Sequence, residues 1–110
     1  KKSQKKTDNI YLKNYSNTSV YFIYMPTFND IESLLRNAKI LITCHGAVTH
    51  AANSFNVKIV DIIEENRKAF YQRYTSYLKK YNPVYRNKFN LLKKDIFNIC
   101  EAWLFCRQIW

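Results

Sequence analysis

The sequence predicts an α/β protein built on a Rossmann-like parallel sheet with crossover helices, and three observations carry that expectation. Residues 20–24 (Val20-Tyr21-Phe22-Ile23-Tyr24), 40–44 (Ile40-Leu41-Ile42-Thr43-Cys44) and 57–63 are short, nearly continuous apolar runs, as strands covered on both faces require. The segments between them are long enough for crossover helices. The only glycine in 110 residues, Gly46, stands where the second run stops and a helix must start, a place for a sharp turn or a close backbone approach to a ligand.

In chain order, residues 1–19 read as a polar, basic lead-in with a short edge strand at 9–13, and Asn14 to Ser19 as a turn-rich stretch. The 20–24 run is dense in β-branched and aromatic residues and ends at Pro26, which marks a strand. Thr27 or Asn29 then caps a helix whose apolar positions Ile31, Leu34, Leu35 and Ala38 recur at three- and four-residue steps. The 40–44 strand, a 46–55 helix and the 57–63 strand follow. A doubly wound sheet of this order places Pro26-Thr27, His45-Gly46 and Glu64-Glu65 at the carboxyl ends of its strands, facing one crevice. The Tyr-rich, basic stretch 67–80 reads as a helix, and Asn82-Pro83 as a break. Residues 20–90 thus form the Rossmann-like domain, and 91–110 an apolar helix. Its Ile96, Phe97, Ile99, Cys100, Trp103, Leu104, Phe105, Ile109 and Trp110 cover more than one face, so 96–110 needs a missing domain or a second chain to cover it.

Composition narrows the function classes. With 47% apolar residues the chain can build a core, and no run reaches the ~18 apolar residues of a spanning helix. Three cysteines, Cys44, Cys100 and Cys106, lack metal-ligand spacing and read as buried thiols of a reducing compartment, so the expected location is cytoplasmic, or peripheral to the inner face of a membrane. A net charge of +10 favours an anionic partner. Four of the eighteen basic residues crowd the first six positions, the rest are scattered, and no nucleic-acid recognition motif appears, which makes nucleic acid the weaker choice.

The chemistry-bearing residues cluster after the 40–44 strand. A strand–turn–helix junction aims free amides and a helix dipole at one point, which suits a phosphate, and Gly46 lies at that junction. The only two histidines, His45 and His50, flank it, five residues apart rather than the i, i+4 of a helical zinc site. Each is read as a phosphate contact or proton-transfer group; the alternative for His50 is a packed core histidine. Thr49 either caps or touches a phosphate, or faces solvent. Glu64 and Glu65 follow the last strand, where a carboxylate meets ribose hydroxyls in nucleotide-binding sheets; the alternative is a solvated acidic turn. Arg67, Lys68 and Arg73 either neutralise a diphosphate or keep a Tyr-rich helix soluble, and Tyr71, Tyr74 and Tyr77 read as a packing stripe. No metal or organic cofactor is expected.

Taken together, residues 29–81 resemble the C-terminal, nucleotide-sugar-binding half of GT-B-type glycosyltransferases. The likeness lies in a helix ending in Ala38-Lys39, an apolar strand, His45-Gly46-Ala47-Val48-Thr49-His50, a small-residue helix and a second apolar strand. This looks like the heptosyltransferase group and a group bearing His-Gly-Ala-x-x-Thr/Asn before its helix. The resemblance implies that Gly46, Ala47 and Val48 offer amides to a donor diphosphate while His45, Thr49 or His50 contact it. It also implies a two-domain enzyme transferring a sugar from a nucleotide-sugar donor to a glycan or lipid-linked acceptor. The acceptor side and general base then come from an N-terminal half for which this chain has no room. The expectation is therefore a fragment or truncated relative that binds donor without catalysing transfer. A basic nucleic-acid-binding or protein-interaction domain without catalysis is the alternative.

Overall fold

The structure is a computed structural model that describes the backbone of residues 4–7 and 9–109 and the side chains of residues 9–103. The chain divides into two compact units, Lys1–Leu34 and Leu35–Trp110.

The first unit is an antiparallel sheet of β1 (Gln4–Thr7), β2 (Ile10–Tyr15) and β3 (Thr18–Ile23), in that order. β2 and β3 form a hairpin in which Tyr15 pairs with Thr18 across a two-residue turn. Ser16 takes the left-handed conformation (φ 50°), and the Ser19 hydroxyl donates to Asn14 Oδ1 at 2.8 Å. The turn-rich stretch is thus as read, but its consequence is different. It pairs 18–23 with its sequence neighbour, so the strand expected at 20–24 does not belong to the parallel sheet. The short span makes local hairpin pairing the less costly closure in chain entropy. Helix α1 (Phe28–Asn37) follows. Thr27 caps it reciprocally, its hydroxyl accepting from the Asp30 amide (3.1 Å) and its own amide donating to Asp30 Oδ2 (2.9 Å).

The second unit holds a three-stranded parallel sheet of β4 (Ile40–Cys44), β5 (Lys58–Ile63) and β6 (Tyr81–Tyr85), ordered β4-β5-β6, with α2 (Ala47–Asn53), a 3₁₀ turn (Glu65–Arg67), α3 (Lys68–Thr75) and α4 (Phe89–Ile109). At a coarse level this is the Rossmann-like arrangement expected. β5 is the central strand: Ile59, Val60, Asp61 and Ile63 are buried, so both of its faces are covered. Residues Leu35, Ala52, Val57, Leu78 and Val84 complete the core around it.

β6 runs through Asn82-Pro83, where the sequence reads as a break. Ile59 donates to the Lys80 carbonyl (2.7 Å) and the Arg86 amide donates to Ile63 (2.8 Å). That alternation turns the amides of residues 82, 84 and 86 toward β5 and the Pro83 nitrogen outward. An edge strand tolerates proline at such a position.

Helix α4 starts at Phe89, and Leu92, Ile96, Ile99, Cys100 and Trp103 form its half-buried face, with Phe97 exposed. The expected apolar positions Leu104, Phe105, Ile109 and Trp110 lie outside the described side chains. Among the described residues no helix is long and apolar enough to cross a membrane.

Candidate functional site

The carboxyl end of β4 carries the site. Parallel pairing extends one residue past the strand, since the His45 amide donates to the Ile62 carbonyl (3.4 Å), which fixes the His45 backbone against β5. The His45 side chain then turns onto Asp61 of β5, with Nδ1 2.7 Å from Oδ2. Asp61 is wholly buried and the His45 side chain is 17% exposed. An ionised carboxylate only accepts, so Nδ1 carries the hydrogen and Nε2 is the nitrogen that remains for other work.

Asp61 serves two further donors. The Tyr81 hydroxyl, at the start of β6, donates to Oδ2 at 2.7 Å, and the Thr49 hydroxyl from α2 donates to Oδ1 at 3.4 Å. An isolated buried carboxylate is strongly disfavoured, and three converging donors from three elements are the compensation. Burial first, then the hydrogen bond and charge of Asp61, hold the Tyr81 phenol well above its usual range, so Tyr81 stays a donor.

Aromatic rings wall the imidazole. His45 meets His50 edge to face at 5.1 Å and Tyr71 of α3 at 4.9 Å. The Arg67 guanidinium lies over the rings of Phe70 and Tyr71, at 4.8 and 5.8 Å. His50 Nδ1 lies 2.6 Å from the Tyr77 hydroxyl, and their rings are nearly parallel. Tyr74 and Tyr77 are more than half exposed, so the tyrosine series is not the packing stripe its spacing suggests.

The predicted phosphate loop is altered in detail. Helix α2 has only seven residues, shorter than the expected 46–55 span, and Gly46 precedes it in extended backbone (φ 176°) that any residue adopts. A Cβ on Gly46 would meet only the Cys44 carbonyl oxygen, at an ordinary 3.9 Å, so neither a sharp turn nor crowding within this chain requires glycine there. Among the described residues the left-handed positions fall instead on Ser16, Met25 and Asn56. The Gly46 amide donates to Thr49 Oγ1 (3.2 Å), and Thr49 is wholly buried. Thr49 therefore braces the loop and Asp61 rather than facing a ligand or solvent. Ala47 and Val48 keep the first-turn amides, which have no partner within the helix. His45 and His50 are brought together as expected.

Glu64 and Glu65 are exposed at the carboxyl end of β5, where with Asn66 and Arg86 they line a shallow depression of about 480 Å³. Arg86 follows β6, and its Nη2 lies 3.7 Å from the Cys44 sulfur. Cys44, expected buried, is exposed because it ends an edge strand; Cys100 is half-buried, and the Cys106 side chain lies outside the described residues. Among the described residues no three His, Cys, Asp or Glu side chains converge as a metal site would need.

Sequence reasoning missed Asp61, Tyr81 and Arg86. Asp61 left a signal: it is the one acid inside an apolar strand, and a buried acid implies partners. Tyr81 and Arg86 were hidden by the apparent break at Asn82-Pro83.

Comparison of the chain with protein-family models, with curated proteins and with solved structures finds no match.

Proposed function

We propose that this chain is the donor-binding part of a glycosyltransferase, holding the diphosphate of a nucleotide sugar beside His45. The observation that supports this reading is the imidazole presented at the carboxyl end of a parallel strand by a wholly buried carboxylate. A buried charge of this kind is more costly than an apolar side chain of similar volume, and sites of function are where such costs concentrate. Ligands of open parallel sheets bind beyond the carboxyl ends of the strands. There His45, His50 and the amides of Ala47 and Val48 form the phosphate side, and Glu64 or Glu65 reaches ribose hydroxyls from the depression shared with Arg86. Gly46 and Thr49 support the loop. The acceptor, a glycan or lipid-linked sugar, and the residues that activate it belong to a partner domain.

The test is thermal shift and calorimetry with UDP-glucose, GDP-mannose and ADP-glucose, beside a short oligonucleotide. One nucleotide sugar is expected to raise the melting temperature, and His45→Ala to abolish that rise. The reading is rejected if none of the sugars binds at millimolar concentration, or if His45→Ala binds as well as the parent chain.

A further inference from the structure

We infer that the His45–Asp61 pair makes anion binding at this site proton-linked: the imidazole is doubly protonated when loaded, Nδ1–H on Asp61 and Nε2–H on a ligand phosphate. This rests on the proposed donor site and assigns it a regulator, pH.

The geometry leads there in three steps. Asp61 is wholly buried, and His45 is the one basic side chain within ion-pair reach of it among the described residues. Its other partners, the Tyr81 and Thr49 hydroxyls, donate hydrogens but bring no positive charge. A phosphate arriving at Nε2 places a second anion on the opposite side of the ring, and an imidazole between two anions is favoured as the cation.

The other groups facing the ring compete little for that proton. His50 of α2 presents its ring edge to face, with its own Nδ1 engaged by Tyr77. Tyr71 of α3 packs its ring against His45, beneath the Arg67 guanidinium. From β6, Tyr81 is held protonated on Asp61, and Arg86 lies against Cys44 one residue away. The two guanidiniums oppose the imidazolium, so the linkage depends on Asp61. Asp61 is thus a positioning residue whose negative charge, and not only its shape, matters.

The experiment measures the dissociation constants of UDP-glucose, GDP-mannose and ADP-glucose from about pH 6 to about pH 8, where neither their pyrophosphates nor the ring protons of uracil and guanine titrate, so any slope belongs to the protein. Affinity is expected to fall by up to roughly tenfold per pH unit on the alkaline side, with calorimetry in two buffers of different ionisation enthalpy showing uptake of a proton. Asp61→Asn keeps the size and a hydrogen-bonding oxygen but removes the charge; His45→Gln leaves Asp61 untouched and provides a second route should the first variant unfold. Both are expected to flatten the slope, whereas His50→Gln retains it whatever its effect on affinity. Binding without pH dependence, or a slope that survives Asp61→Asn or His45→Gln, or one that disappears with His50→Gln, overturns the linkage while leaving the donor site standing. Failure of all three sugars to bind overturns both.

Discussion

Asp61 gathers hydrogen bonds from His45 just past β4, from α2 and from β6 onto one carboxylate, so a single side chain couples the site to the packing of the sheet. Tyr81 is the partner whose contribution is separable by pH. Its phenol titrates above its usual range in the fold because burial and Asp61 disfavour the phenolate, whereas the unfolded chain ionises near pH 10.0. Stability from this group is therefore fully present below about pH 10 and declines as pH rises toward the folded value. Tyr81→Phe removes one donor from a buried carboxylate and is expected to cost about 1–3 kcal/mol near neutrality. The gap between parent and variant in urea denaturation is expected to narrow at about pH 11; an equal gap at both pH values would show that the Tyr81 proton is not coupled to folding. At this scale the sequence made His45 and His50 visible, because both histidines of the chain flank its single glycine. It did not reveal that Thr49 turns inward, since helical spacing at a single threonine does not decide between core and solvent.

β6 shows how an element is judged by its neighbours rather than by its own residues. Asn82-Pro83 carries a turn signature, yet the strand pairs with β5 over five residues, from Ile59↔Tyr81 to Ile63↔Tyr85. The ladder needs amides only at alternate positions, and Pro83 occupies one that faces away. Pro83→Ala is accordingly expected to change stability by less than about 1 kcal/mol, while Val84→Pro, which removes an amide aimed at β5 and disturbs a core residue, is expected to cost about 3 kcal/mol or more. Similar losses for the two, read by chemical denaturation, would show that the register is not the one described. β4, α2 and β5 were legible because apolar runs of strand length flank a short small-residue segment. The hairpin of β2 and β3 was not read as such: a run of β-branched and aromatic residues looks the same in either kind of sheet, and only pairing decides which it joins.

Across the whole chain, the charge of +10 gives a general attraction to polyanions that is distinct from the site. Binding to a single-stranded oligonucleotide is expected to be weak, to fall steeply with salt, and to be the same for the parent and Asp61→Asn, because it is a sum over scattered lysines and arginines. Filter binding between about 50 and 200 mM salt tests this; tight, salt-insensitive binding lost on Asp61→Asn would move the function to nucleic acid. By itself the sequence determined the α/β class, a helix cap at Thr27 or Asn29, the β4–α2–β5 order and the junction after β4 that both histidines flank, since these follow from local periodicity and the placement of a few residue types. Tertiary structure alone decided that the parallel sheet contains β6 and not β3, that Gly46 is extended, and that Asp61 joins His45, Thr49 and Tyr81. Those outcomes depend on which strands pair and which side chains meet across 12 to 20 residues of chain, and no local pattern encodes that choice.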